Sequence, residues 1–109
     1  MYRFIDKHNL GEPYDHIHPY QQIRVRELVN RVFDGITHVI IFGSSVNLTC
    51  KPNSDLDVCV IGDFDTDKIK QLRIKDVAMD VLHYKDAETL KDDYRIYREV
   101  TERGVQVYG

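Results

Sequence analysis

The feature that most constrains the fold is a run of β-branched and aromatic residues, THVIIFG, from Thr37 to Gly43. Side chains of a β-strand alternate between the two faces of its sheet, and this run is apolar on both faces. Such a strand is typical of the centre of a sheet that other elements cover on each side. The sequence therefore predicts a layered α/β arrangement around a central strand, with neither face of that strand left to water.

Hydrophobic spacing elsewhere predicts the elements that accompany this strand. A helix is expected from Pro19, because the apolar residues after it recur at the 3, 4 and 7 spacing of one helical face. The other predicted elements are a second strand at 54–62, a third at 77–83, one helix or two short ones at 87–102, and a last short strand at 105–108. This order indicates an α/β (α+β) fold with a small mixed sheet of about four strands packed with helices.

Length and composition narrow the class of protein. The chain has 109 residues, of which 42% are hydrophobic, so we expect one globular domain spanning 1–109. The longest apolar run, Val39 to Phe42, is far shorter than the roughly 18 residues of a membrane span, and the N-terminus lacks the apolar segment of a secretory signal. Two cysteines exclude a disulfide framework. We therefore expect a cytoplasmic protein without membrane association, and the net charge of −3 argues against nucleic acid as a partner.

Three aspartates are candidates for metal binding and catalysis. Asp55 and Asp57 alternate with Leu56 at the start of the second strand, so both carboxylates are expected on one face. Two ionised carboxylates on one face of a strand repel each other when no cation lies between them. Mg²⁺ prefers hard oxygen ligands of this kind. Asp80 lies within the third strand, VAMDVL, and faces the same point if that strand pairs with the second. The alternative for Asp80 is a solvated position on an edge strand.

A glycine–serine turn directly after the central strand is a candidate for phosphate binding. Glycine lets the backbone of Gly43-Ser44-Ser45 approach a phosphate closely, and the N–H groups and hydroxyls that follow can bind its oxygens. The turn is not a P-loop, because Leu48 occupies the position of the second glycine in that motif. Taken alone, the turn is also compatible with a purely structural role.

A larger pattern resembles the nucleotidyltransferase fold of the DNA polymerase β superfamily. It consists of a strand followed by Gly43-Ser44, an Asp55-Leu56-Asp57 pattern on a second strand, and Asp80 on a third. The chain is most similar to the minimal nucleotidyltransferases, which are small bacterial proteins of this size and which also end in a helix followed by a short strand. The resemblance covers about residues 20–108, whereas 1–18 form an N-terminal extension outside it.

The resemblance implies a specific reaction and specific roles. Asp55 and Asp57 are expected to bind two Mg²⁺ or Mn²⁺ ions, and Asp80 to bind the metal beside the acceptor hydroxyl and to take its proton. Gly43, Ser44 and Ser45 are expected to bind the phosphates of a nucleoside triphosphate. An NMP, by default AMP from ATP, would then be transferred to the acceptor hydroxyl while pyrophosphate leaves.

The resemblance also implies a protein partner. A chain of this length has no second domain to bind the acceptor, and in this family the acceptor is often a HEPN-type toxin that the small protein adenylylates as its antitoxin. The chain departs from the family pattern at Ser45, where an Arg is common, and at Leu48, where a Gly is common. These departures favour an alternative: a nucleotidyltransferase-like binding module that neutralises its partner by contact alone. Whether the chain forms a homo-oligomer is left open.

Two other motifs are weaker candidates for metal sites. The segment from Asp63 to Asp67, DFDTD, resembles the start of a calcium-binding loop, but Lys68 follows where that loop needs glycine. His16 and His18 are close in sequence, but two histidines without a third ligand are more typical of a surface.

Overall fold

The structure is a computed structural model that describes residues 17–46 and 55–109. Its helices are α1 (Pro19–Asn30), α2 (Ala87–Asp92) and α3 (Tyr94–Arg103), and its strands are β1 (Ile36–Phe42), β2 (Leu56–Gly62), β3 (Met79–Tyr84) and β4 (Val105–Tyr108). Two 3-10 helices lie at Gly43–Val46 and Thr66–Leu72. The predicted mixed α/β architecture is confirmed. Predictions that concern 1–16 or 47–54, including those on His16 and Leu48, lie outside the described residues.

The four strands form one mixed sheet in the order β3-β2-β1-β4. The central strand β1 pairs antiparallel with both β2 and β4, whereas β2 and β3 are parallel. Val39, Ile40 and Ile41 of β1 are fully buried although they point alternately to opposite faces. The central, doubly covered strand that the sequence predicts is therefore β1.

Each face of the sheet has its own apolar core. On the first face, here called the α1 face, strand residues such as Val39 and Val58 pack with Val25 and Leu28 of α1 and with the 3-10 helix at Thr66–Leu72. On the opposite face, here called the α3 face, the packed residues come from three strands and from α2 and α3: Ile40, Phe42, Cys59, Ile61, Leu82, Tyr84, Leu90, Ile96, Tyr97 and Val100. The alternation predicted for the second strand is thus observed in β2.

The helical region after β3 is divided in two at Asp93. The α2 helix begins after Asp86, whose carboxylate accepts the backbone N–H of Thr89 at 2.8 Å. Asp93 has non-helical backbone angles (φ −92°, ψ 78°), and its carboxylate does not cap α3. Instead, it accepts a hydrogen bond of 2.8 Å from the Tyr84 hydroxyl at the end of β3. This bond ties the junction of α2 and α3 to the edge of the sheet.

Within residues 17–46 and 55–109, no helix is both long and apolar enough to cross a bilayer.

Candidate active site

The candidate site lies at the end of the sheet where β1 finishes and where β2 and β3 begin. Phe42 of β1 is opposite Asp57 of β2, and Asp57 is opposite Asp80 of β3. These three residues form one row across neighbouring strands on the α3 face, because Asp57 and Asp80 alternate in phase with Cys59 and Leu82. The site is therefore assembled by strand register rather than by residues that are close in sequence.

Asp57 and Asp80 are direct neighbours in this row. Adjacent strands lie about 4.8 Å apart, so two side chains that leave the same face at partnered positions stand side by side. The pairing of β2 with β3 begins just before them, where the Leu56 N–H donates to the carbonyl oxygen of Ala78 at 2.9 Å. Asp57 is half-buried and Asp80 is exposed. The arrangement places two carboxylates together at the rim of the sheet, open to a ligand on one side.

Gly43 brings the turn after β1 directly against Asp57. Its φ of +68° lies in the left-handed region that side chains with a Cβ rarely adopt. A Cβ at this position would lie 3.1 Å from Cγ of Asp57 and would collide with its Oδ2. The absence of a side chain at Gly43 therefore allows the turn and the carboxylate to form one site. The sequence pattern indicated a role for this glycine but not its contact with Asp57.

The remaining predicted site residues lie outside the row formed by Phe42, Asp57 and Asp80. Asp55 lies one residue before β2 and is exposed. Ser44 and Ser45 belong to the 3-10 helix Gly43–Val46, of which only the backbone is described at these two positions. In the part of the chain that the structure describes, no group of three or more His, Cys, Asp or Glu residues is arranged as a metal site. The structure thus joins Asp57, Asp80 and Gly43, whereas Asp55 lies outside this row, two residues before Asp57.

Asp80 occupies the solvated edge-strand position that the sequence left open as an alternative. It is the second residue of β3 and is exposed. The reason is topological: β3 is an edge strand with a neighbour on one side only. The predicted pairing of the second and third strands, and with it the placement of Asp80 beside Asp57, is found.

The donor set fits a hard divalent cation. All candidate ligands are carboxylate oxygens, and Mg²⁺ is commonly held by one or two carboxylates while waters and substrate phosphates complete its shell. Asp57 and Asp80, which are partnered across β2 and β3, satisfy this requirement by themselves. The same geometry leaves the outer side of the site to phosphate oxygens.

Cys59 lies two residues after Asp57 on the same face but does not belong to the reactive set. Burial, together with the negative charge of Asp93, raises the pKa of the Cys59 thiol to about 12. A thiol of this kind stays protonated at neutral pH and is neither a metal ligand nor a nucleophile.

We predict that Cys59 resists alkylation by iodoacetamide at pH 8 in the folded protein and reacts rapidly in denaturant. Alkylation is expected to be more than about a hundredfold faster in denaturant than in the folded protein, because burial shields the thiol and its raised pKa suppresses the thiolate. The measurement uses a Cys50→Ser variant, so that Cys59 is the single thiol. Rapid alkylation of the native variant at pH 8 would contradict the prediction.

The weaker candidates have structural roles or stay untested. The Asp65 carboxylate accepts the backbone N–H of Asp67 at 3.0 Å and so caps the 3-10 helix Thr66–Leu72. One contact that the sequence did not indicate involves His83, whose ring stacks on Phe64 at 4.0 Å and whose Nε2 donates to the Gly62 carbonyl oxygen at 2.7 Å. These contacts hold the loop after β2 on the sheet, at the end remote from Asp57.

A four-stranded mixed sheet with helices on its faces, a glycine turn after the central strand and paired carboxylates on the next two strands define a nucleotidyltransferase-type palm domain. The family comparison specifies this class further: residues 17–102 match the model of the poly(A) RNA polymerase, mitochondrial-like, central palm domain, and the chain belongs to this family.

A solved structure supports the fold. The chain is similar to a mutant of the toxin–antitoxin complex MntA-HpeT, with a TM-score of 0.56 and 20% sequence identity over 80% of this chain and 72% of that one. At this identity the similarity concerns the fold. No curated protein matches the chain.

Proposed function

We propose that the protein is a divalent-metal-dependent nucleotidyltransferase that transfers an NMP, by default AMP from ATP, to a hydroxyl group of a partner protein. The observation that carries the proposal is the row in which Asp57 stands beside Asp80 and against Gly43, in a chain of the palm-domain family. Paired carboxylates at an open rim suit the binding of a metal–triphosphate complex better than a structural role, since their mutual repulsion costs stability when no cation is bound.

Each residue has a distinct part in this proposal. Asp55, Asp57 and Asp80 would hold two Mg²⁺ ions, which when bound would polarise the phosphoryl oxygens and offset their charge. The turn of Gly43, Ser44 and Ser45 binds the triphosphate and orients its α-phosphorus. The acceptor oxygen forms a bond to the α-phosphorus, the bond from that phosphorus to the bridging oxygen breaks, and pyrophosphate leaves with the electron pair. Asp80, the outermost carboxylate of the row, takes the proton of the acceptor hydroxyl.

Two of the comparisons support the choice of donor and of partner in this proposal. The name of the matching palm family refers to poly(A), which favours ATP as donor, and the structural neighbour is part of a toxin–antitoxin complex. We therefore propose a HEPN-type toxin as the acceptor. An RNA acceptor is disfavoured, because a chain with a net charge of −3 repels a phosphate backbone.

The test is to incubate the protein and Mg²⁺ with α-labelled or γ-labelled ATP, in the presence of a HEPN-type partner or an extract of the source cells. The expected result is that α-label is retained on a macromolecule that protease removes and ribonuclease leaves intact, whereas γ-label is not retained. Retention of γ-label instead would indicate phosphoryl transfer. Label that is sensitive to ribonuclease would replace the protein acceptor with RNA.

We also predict that Mg²⁺ raises the melting temperature of the wild-type protein. A cation that binds between Asp57 and Asp80 relieves the repulsion between their carboxylates. Because it binds only the folded state, a free cation concentration of ten times its dissociation constant raises the free energy of unfolding by about 1.4 kcal/mol. For a domain of this size this corresponds to roughly 5 °C. The matched control is Asp57→Asn, which is expected to lose most of the shift. An equal shift in both proteins would place the cation elsewhere.

A further inference from the structure

The connection from β2 to β3 carries the chain back to the end of the sheet that holds the candidate site. Because β2 and β3 are parallel, this segment crosses a face of the sheet, and its two buried side chains join the core of the α1 face. It starts at the far end of the sheet, remote from Asp57, where the Thr66 hydroxyl donates to Nδ1 of His83 at 2.9 Å. It ends beside the start of β3, where the backbone N–H of Ile74 donates to Sδ of Met79 at 3.4 Å.

Four unpaired cations follow this connection. They occur in the stretch KIKQLRIK, which holds four of the chain's 15 Lys and Arg residues and none of its 18 Asp and Glu residues. All four side chains are exposed, and among residues 17–46 and 55–109 none of them belongs to an ion pair. In a chain with a net charge of −3, this stretch is a local reversal of sign. It is called here the cationic strip, and its members are Lys68, Lys70, Arg73 and Lys75.

The end of the cationic strip lies at the start of β3, on the other side of the sheet from the carboxylate row. Lys75 is at the tip of a turn that the Val77 N–H closes onto the carbonyl oxygen of Ile74 at 3.2 Å. Met79 packs on the α1 face, as the strip does, whereas Asp80 leaves the α3 face. Among the described strands, β3 has a neighbour on one side only. A molecule that covers the open edge at the start of β3 is therefore adjacent both to the strip and to Asp80.

We propose that the cationic strip docks an acidic face of the acceptor protein and so brings the acceptor hydroxyl to Asp80. This inference rests on the proposed function, in which the acceptor approaches the outermost carboxylate of the row. Opposite charges on two surfaces steer their encounter and fix their orientation, whereas the carboxylates of the site alone would repel an acidic partner. A single-stranded nucleic acid suits the strip less well, because such ligands stack on aromatic side chains and KIKQLRIK contains none.

The test measures by calorimetry how tightly the purified HEPN-type partner binds in the absence of ATP, at low and at high salt. Arg73→Glu and Lys75→Glu are each expected to weaken binding roughly tenfold at low salt, because charge reversal replaces attraction by repulsion. The difference from the wild type is expected to shrink at high salt, where exposed charges are screened. Lys68→Glu, at the opposite end of the strip from Asp80, is expected to have a smaller effect.

The matched control is Arg95→Glu, which makes the same change of charge on the other side of the sheet. Arg95 is exposed and lines a groove along the outward face of helix α3, and this helix packs on the α3 face. Arg95→Glu is expected to bind the partner like the wild type. In the transfer assay, Arg73→Glu is expected to raise the KM for the partner about tenfold and to leave kcat and the KM for ATP unchanged, because only binding of the partner is lost.

Several outcomes would overturn the inference. Unchanged partner affinity in Arg73→Glu and Lys75→Glu, or an equal loss in Arg95→Glu, would show that the strip is not the docking surface. A raised KM for ATP in Arg73→Glu would assign the strip to the nucleotide, and displacement of the partner by an oligoadenylate RNA would assign it to nucleic acid. If Arg73→Glu does not fold, Lys75→Glu decides the question in the same way.

The two assays also distinguish this inference from the proposed function. Label transfer at the wild-type KM for the partner in both strip variants refutes the docking surface and leaves the reaction standing. Binding that depends on the strip, without any transfer of label, supports the docking surface and refutes the reaction. A wild-type protein that does not bind the HEPN-type partner refutes both the docking surface and the proposed acceptor.

Discussion

Asp80→Asn is expected to bind Mg-ATP and its partner but to lose transfer of α-label by about two to four orders of magnitude. The substitution keeps the size of the side chain and removes its charge. Asp57, which lies against Gly43, is placed to hold the metal–triphosphate complex with phosphate oxygens and waters. Asp80 is outermost in the row. In the proposed function it is the general base for the acceptor hydroxyl, and loss of such a base costs about 10²- to 10⁴-fold in rate. The measurement is the initial rate of label transfer at saturating ATP.

The matched control for this variant is Asp63→Asn, which removes an exposed carboxylate that lies outside the row, just after the far end of β2. It is expected to transfer label at the wild-type rate. Asp80→Asn also separates the enzyme from the contact-only alternative. If it transfers no label and yet neutralises the partner in cells as well as the wild type does, then contact is the biological function and transfer is not.

Much of the fold follows from local sequence pattern. The run THVIIFG is apolar on both faces and becomes the central strand β1, and the last strand is found at the predicted residues, Val105–Tyr108. In β2, the alternation at the start of the strand correctly separates Leu56, on the α1 face, from Asp57, on the α3 face. These features depend on side-chain periodicity and burial, which a sequence carries residue by residue.

The parts of the site that sequence could not predict depend on contacts between distant segments. Periodicity assigns Asp80 to a face but does not decide whether β3 is central or at an edge, and the edge position makes this residue exposed. Likewise, no glycine or proline marks the break between helices α2 and α3 at Asp93. It coincides with a hydrogen bond to Tyr84, nine residues away on another element. Register and edge position are properties of the assembled sheet.

The second large effect is expected for Gly43→Ala, which should destabilise the protein by about 1–2 kcal/mol and lower the transfer rate about a hundredfold. The loss of stability comes from a methyl group at φ +68°. The loss of rate comes from the collision of this methyl group with the Asp57 carboxylate, which pushes Asp57 and the Gly43 turn apart. A displacement near 1 Å in a reacting geometry is enough for an effect of this size.

The control for Gly43→Ala is Gly35→Ala, which separates strain from site geometry. Gly35 also has a positive φ of +105°, but it lies just before β1, at the opposite end of that strand from Gly43. Its added Cβ would meet Cβ of Phe64 at 3.3 Å rather than a carboxylate. Both variants are therefore expected to unfold at lower urea concentration than the wild type, while Gly35→Ala keeps its transfer rate under conditions in which it is fully folded. If both variants lose rate equally, the glycine at 43 serves the fold alone. If only Gly43→Ala loses it, the close approach of the turn to Asp57 is what the chemistry requires.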